Sequence, residues 1–173
     1  MHADSVAAVY DRRRVGFSSL IERRYRNRGG WRWVGVTGNN NNMSLPEKPK
    51  GELVIRTIAM PADTNPNGDV FGGWLMSQMD LGSGILASKT AKARVVTVAM
   101  EGLSFLQPVG VGDTVACYAW VEKIGRTSMT IPVEVWVERF RERGTQVLVT
   151  RGVFIYVAVD EAGQPIPVER DDA

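Results

Sequence analysis

The chain has 173 residues, 44% of them apolar, which suits one globular domain with a sizeable core, and no apolar run approaches the roughly 20 residues that span a bilayer. Its net charge of +2 is unevenly spread: residues 1–42 hold eight Lys and Arg against three Asp and Glu, the rest 13 against 16, so the body is mildly acidic and neither nucleic acid nor membrane is an expected partner for it. The one cysteine, Cys117, fits a reducing compartment such as the cytoplasm and reads as a small core residue. The one histidine is His2, so a Ser-His-Asp triad, a Cys-His pair and the His-based zinc sites have no usable imidazole.

Residues 1–42 read as a basic, disordered extension. Arg12-Arg13-Arg14, Arg23-Arg24, Arg26 and Arg28 precede Gly29-Gly30 and the run Gly38-Asn-Asn-Asn-Asn42. An organelle transit peptide is weakened by Asp4, Asp11 and Glu22, and a basic arm for nucleic acid or membrane is another reading. The favoured expectation is that translation starts at Met43. Residues 43–51, with Pro46 and Pro49, form a linker, and 52–60 a strand.

The next stretch, Asp63-Thr-Asn-Pro-Asn-Gly-Asp-Val-Phe-Gly-Gly-Trp-Leu-Met-Ser-Gln-Met-Asp80, turns first and then coils. Asp63, Asn65, Pro66, Asn67 and Gly68 favour tight loops. Asp69 is the expected N-cap of a helix over 71–92. Gly72 and Gly73 lie at its opening, where unpaired N–H groups and partial positive charge suit an oxyanion. Gly82 and Gly84 cost helix propensity and imply close approach by another element. Asp63-x-Asn65-x-Asn67-Gly68 imitates half an EF-hand loop, but the twelfth position is Trp74 and Pro66 interrupts it, so no metal is expected. Asp80, two turns into the helix among Met76, Met79 and Leu81, is the candidate general base.

Strands are expected over 94–105, 114–124, 128–140 and 146–159, with turns at Gly110-x-Gly112-Asp113, Gly125-Arg126 and Arg143-Gly144. The fold class is α+β: one long helix wrapped by a curled antiparallel sheet of about five strands, filling 52–167 with a short tail at 168–173. The last strand is apolar on both faces, which argues for a homo-oligomer. Lys123-Ile-Gly-Arg-Thr-Ser128 joins a turn to two cations and two hydroxyls. A solvated hairpin tip and a phosphate site using Lys123, Gly125, Arg126, Thr127 and Ser128 stand level there.

The pattern Asn65-x-x-Gly68-x-x-Phe71-Gly72-Gly73-x-x-Met76-x-x-Met79-Asp80 resembles the signature of the hotdog-fold acyl-CoA thioesterases. The run from Arg56 to Trp74, Arg94-Val-Val-Thr-Val, Phe105-Leu-Gln-Pro-Val-Gly-Val-Gly-Asp and Val133-Glu-Val-Trp-Val resemble the YciA type in particular. The resemblance covers about 52–167 and implies hydrolysis of acyl-CoA to a free acid and coenzyme A without metal or redox cofactor. By that resemblance Asp80 is base or nucleophile, the Gly72 and Gly73 amides hold the oxyanion, and Asn65 orients water or substrate. Seven residues separate Gly73 from Asp80, roughly 10 Å of helix, so a composite site shared by two copies in a dimer, tetramer or hexamer is expected. The alternative is a non-catalytic acyl-CoA-binding regulator of the same fold.

Overall fold

The computed structural model describes residues 47–142 and 144–169, all within one compact unit, Leu45–Ala173. The expected extension over 1–42 lies outside the described residues, as does 170–173. Strand β1 (Glu52–Ile58) leads through a 3-10 turn at Pro61–Asp63 to helix α1 (Gly72–Ala91), and five strands follow. They are β2 (Arg94–Phe105), β3 (Thr114–Ala119), β4 (Lys123–Ile124), β5 (Ser128–Glu138) and β6 (Gln146–Val159). The sheet runs β1-β3-β5-β6-β2, with β4 beside β5 and every pairing antiparallel. Helix α1 packs across one face and touches all the long strands.

Six strands replace the expected five because 114–124 divides at Trp120–Glu122. The cause lies on the neighbouring strand. The Trp120 N–H donates to the Pro132 carbonyl at 3.3 Å, but Pro132 has no N–H to return. The register then moves by one residue, from Ala119 opposite Val133 to Lys123 opposite Thr130. Strand β2 carries irregularities of its own, between Thr97 and Ala99 and between Glu101 and Ser104, the second at Gly102 with φ of 60°.

The helix begins after Phe71, so Asp69 is not its N-cap. Asp69 is locked two residues upstream: its carbonyl accepts the Asn65 N–H at 2.7 Å, and its own N–H reaches Asn65 Oδ1 at 3.3 Å. Phe71 caps with extended backbone and no side-chain bond. Leu75, Met79, Gly82, Ser83, Leu86, Ala87 and Ala91 form the buried stripe, the i, i+3, i+4 spacing of a helix lying on a sheet. Gly82 permits the contact with β1, since a Cβ there would stand 2.6 Å from Val54 Cγ2. Lys92, left-handed at φ of 51°, ends the helix.

The stripe meets Val115, Cys117, Ile131, Val133, Val135, Phe154, Tyr156 and Ala158 in one core. Burial pushes the Cys117 thiol up to about 12, so it sits there as a small apolar side chain, as expected. On β6, Phe154, Tyr156 and Ala158 are buried, while Val153 and Ile155 opposite stay partly exposed. The chain stays packed past Pro167: Ile166 N–H bonds to the Ala158 carbonyl, Val168 N–H to the Arg126 carbonyl, and Val168 is buried.

Candidate active site

The loop before α1 is built by Asn65. Its Oδ1 accepts the Asn67 N–H at 2.9 Å as well as that of Asp69, and its carbonyl accepts the Gly68 N–H at 2.9 Å. This is an Asx turn, and no hydrogen bond among the described residues takes up the Asn65 Nδ2 donors. The loop is anchored twice more: Phe71 N–H donates to the Asp63 carbonyl and Val70 N–H to the Val109 carbonyl, each at 2.9 Å.

These anchors present the start of α1. Trp74 and Leu75 return their N–H groups to the Phe71 carbonyl, whereas no hydrogen bond among the described residues takes up the N–H of Gly72 or Gly73. The two glycines differ. A Cβ on Gly72 would meet the Phe105 ring at 2.9 Å, while one on Gly73 would meet nothing within 4 Å. Gly72 is a close-packing glycine and Gly73 an open one, and both retain free donors.

Asp80 is part-buried on the flank of α1, next to β2 and β6. Its Oδ1 accepts from Thr97 Oγ1 at 2.8 Å and from the Tyr156 hydroxyl at 2.9 Å. Tyr156 also lies 3.0 Å from the Asp80 carbonyl and 2.8 Å from Ser83 Oγ, and Ser83 in turn donates to the Met79 carbonyl at 2.6 Å. Burial raises the Tyr156 phenol; Ser83 offsets part of this, the Asp80 carboxylate adds to it, and the result is about 12. Tyr156 therefore remains a protonated donor at neutral pH. No hydrogen bond among the described residues reaches Asp80 Oδ2. The carboxylate thus has one oxygen tied down and one open, an arrangement suited to accepting a proton.

Thr97, Tyr156 and Ser83 were absent from the sequence-based site. One signal pointed to Tyr156. Its parity on β6 puts it with Phe154 and Ala158 on the buried face, and a buried phenol needs a polar partner. Nothing local marked Thr97.

The hairpin Lys123–Ser128 is held by its main chain. Gly125 N–H donates to the Ser128 carbonyl at 2.7 Å, and the Thr127 and Arg126 carbonyls accept from Ala158 and Val168. The Lys123 and Arg126 side chains are exposed. Ser128 pairs with Val157 beside the start of β2, where Arg94 meets Val159, whereas Phe105 under Gly72 ends β2. Within one chain the helix start and the hairpin therefore lie toward opposite ends of a twelve-residue strand. Asn65 and Asp80 share no hydrogen bond among the described residues.

A family model described as the thioesterase superfamily matches residues 67–142, from the Asx loop to just past β5. The acyl-CoA thioester hydrolase YciA of Salmonella typhimurium is 56% identical over 127 residues, covering 72% of this chain and 96% of that protein. Among solved structures, the hexameric thioesterase of Yersinia pestis superposes with a TM-score of 0.68 at 56% identity, covering 71% of this chain and 99% of that one. A hexameric hotdog-fold thioesterase of Campylobacter jejuni does so with a TM-score of 0.65 at 39% identity, over 69% of this chain and 91% of that one. With most of each relative's length matched at such identity, this chain belongs to the YciA-type acyl-CoA thioester hydrolases, hotdog-fold members of the thioesterase superfamily.

Proposed function

We propose that this chain hydrolyses acyl-CoA with Asp80 as the reacting carboxylate and the Gly72 and Gly73 amides as oxyanion donors. In the base form of the reaction, Asp80 Oδ2 takes a proton from water as the water oxygen bonds to the thioester carbon. The carbonyl oxygen gains negative charge, which N–H groups at a helix start are suited to stabilise. The intermediate then collapses, the C–S bond breaks, and the proton passes to the coenzyme A sulfur, leaving free acid and thiol. In the nucleophile form Oδ2 itself bonds to the carbon, the C–S bond breaks and the coenzyme A thiolate leaves. Water then cleaves the resulting anhydride, one of its protons passing to the thiolate, which gives free acid and thiol and returns Asp80 as a carboxylate. The observation that carries the assignment is the carboxylate of Asp80, bonded through one oxygen only. The family supplies the substrate class.

The helix start and Asp80 stand roughly 10 Å apart along one helix. We therefore read the site as composite, with Asn65, Gly72 and Gly73 of one copy facing Asp80 of another, in a dimer assembled further. Leu81 and Ile85 on α1 are 58% and 61% exposed, apolar area that a second copy would cover, and the Yersinia pestis relative is named hexameric. The Lys123, Gly125, Arg126, Thr127 and Ser128 hairpin is the proposed seat of coenzyme A phosphate. No helix among the described residues is long and apolar enough to cross a membrane, and we place the enzyme in the cytoplasm.

The test is steady-state hydrolysis of acyl-CoA substrates from short to long, read with a thiol reagent. Asp80→Asn is expected to lower kcat by roughly 10²-fold or more, the loss that accompanies removal of a general base. A folded variant with near-wild-type turnover would take Asp80 out of the mechanism.

A further inference from the structure

A carboxylate swings easily about its last torsion, whose energy profile is broad. Asp80 has that freedom removed from two sides. Thr97 reaches it from β2 and Tyr156 from β6, both at Oδ1 and both within 2.9 Å. Since α1 supplies the aspartate itself, three elements fix one oxygen atom. We propose that Tyr156 and Thr97 are positioning residues of the hydrolysis, pinning Asp80 through Oδ1 so that Oδ2 alone meets water or the thioester. This rests on the reading of Asp80 as the reacting carboxylate.

Proton accounting gives Tyr156 a second duty. Its hydroxyl has one proton and three oxygens within 3.0 Å: Ser83 Oγ, the Asp80 carbonyl and Asp80 Oδ1. An ionised carboxylate is the strongest acceptor of the three, so the proton points to Oδ1 before reaction. When Oδ2 takes up a proton the pull of Oδ1 falls, and the hydroxyl can turn to the Asp80 carbonyl without leaving the buried phenol unpaired. With the phenol proton on Asp80, the 2.8 Å contact to Ser83 is made by the Ser83 proton, for which the Met79 carbonyl at 2.6 Å is the competing acceptor. The Tyr156 hydroxyl thereby keeps a hydrogen-bond acceptor before and after the proton moves. Thr97 is the only other side chain bonded to the carboxylate among the described residues, and it does not titrate.

The experiment places Tyr156→Phe, Thr97→Val and Thr97→Ser in the full chain, each also combined with Asp80→Asn, and measures kcat, KM and Tm. Tyr156→Phe and Thr97→Val are each expected to lower kcat by about 10-fold with KM for acyl-CoA within about two-fold, as displacement of a reacting group does. Thr97→Ser, which keeps the hydroxyl, is expected to restore turnover. In the Asp80→Asn background neither loss should recur, because residues that act through one group are not additive. Wild-type kcat in folded Tyr156→Phe and Thr97→Val overturns the proposal, and so does an equal loss in both backgrounds. Should Tyr156→Phe unfold, the Thr97 pair on the exposed β2 edge decides alone. A fully active Asp80→Asn is a separate result: it sinks the reading of Asp80, whatever Tyr156 does.

Discussion

Asp113 shows how one carboxylate can brace the site from a distance. Its Oδ2 accepts from Arg139 Nη1 at 2.8 Å and from Gly110 N–H at 3.0 Å, and its Oδ1 accepts from Phe140 N–H at 3.0 Å. Arg139 also donates to the Pro108 carbonyl at 2.8 Å. Together they stiffen the turn whose Val109 carbonyl holds Val70, just before α1. Burial pushes the Asp113 carboxyl up, but the Phe140 and Gly110 amides and the Arg139 guanidinium outweigh it, so it titrates below its ordinary 3.8. The sign of the linkage follows. A carboxyl lowered in the folded state contributes stability above its unfolded value, and loses it as pH falls toward the folded one. Asp113→Asn is expected to cost about 2–4 kcal/mol at pH 7, since it leaves a half-buried guanidinium short of its partner. The deficit should shrink below about pH 4. Denaturant melts of both proteins at pH 7 and in acid check this. An undiminished gap in acid would mean that the ionised form of Asp113 is not what stabilises.

At the scale of the element, α1 contains a matched pair of glycines with opposite expectations. Gly82→Ala sets a methyl 2.6 Å from Val54 Cγ2, whereas Gly84→Ala meets nothing nearer than the Tyr156 hydroxyl at 3.7 Å. Helix propensity favours both changes by about 1 kcal/mol, but overpacking at Gly82 opposes it by about 1–3 kcal/mol. Thermal melts should show Gly84→Ala at or above wild-type Tm and Gly82→Ala at or below it; the reverse order would mean that β1 does not seat on Gly82. Both glycines raised the expectation of close approach from sequence alone, and the helix ends were legible to within one residue. These features have local causes: Pro66, Asn67 and Gly68 forbid a helix, and the apolar spacing after Trp74 demands one. The division of β3 from β4 was not legible, because its cause, Pro132, sits across the sheet. The Asp69 cap failed because Asn65 had already engaged it. The partners of Asp80 escaped because Thr97 and Tyr156 lie 17 and 76 residues further on, a separation on which helix and strand periodicity is silent.

For the whole molecule, the composite site predicts complementation. Inactive Asn65→Ala and Asp80→Asn chains, mixed under conditions that exchange subunits, should recover about a quarter of wild-type activity. Under random two-fold pairing half the dimers are mixed, and half the sites in those carry neither lesion. Mass spectrometry confirms the exchange, and no recovery after it would place both residues in one copy's site. The strand order has a consequence for the ribosome. β2 leaves the tunnel soon after α1, yet its neighbour in the sheet is β6, the last strand among the described residues. Forty residues separate Phe105 from Gln146, and at about 5–20 residues per second β2 waits roughly two to eight seconds for its partner. Throughout that interval its apolar Val98, Met100 and Phe105 stand beside an unpaired backbone edge, the condition in which nascent chains stick to one another. The irregularities on either side of Met100 interrupt the flat register that such sticking needs. A nascent chain stalled before Tyr156 holds Asp80 without its phenol partner, so the carboxylate gains that hydrogen bond only when β6 is made.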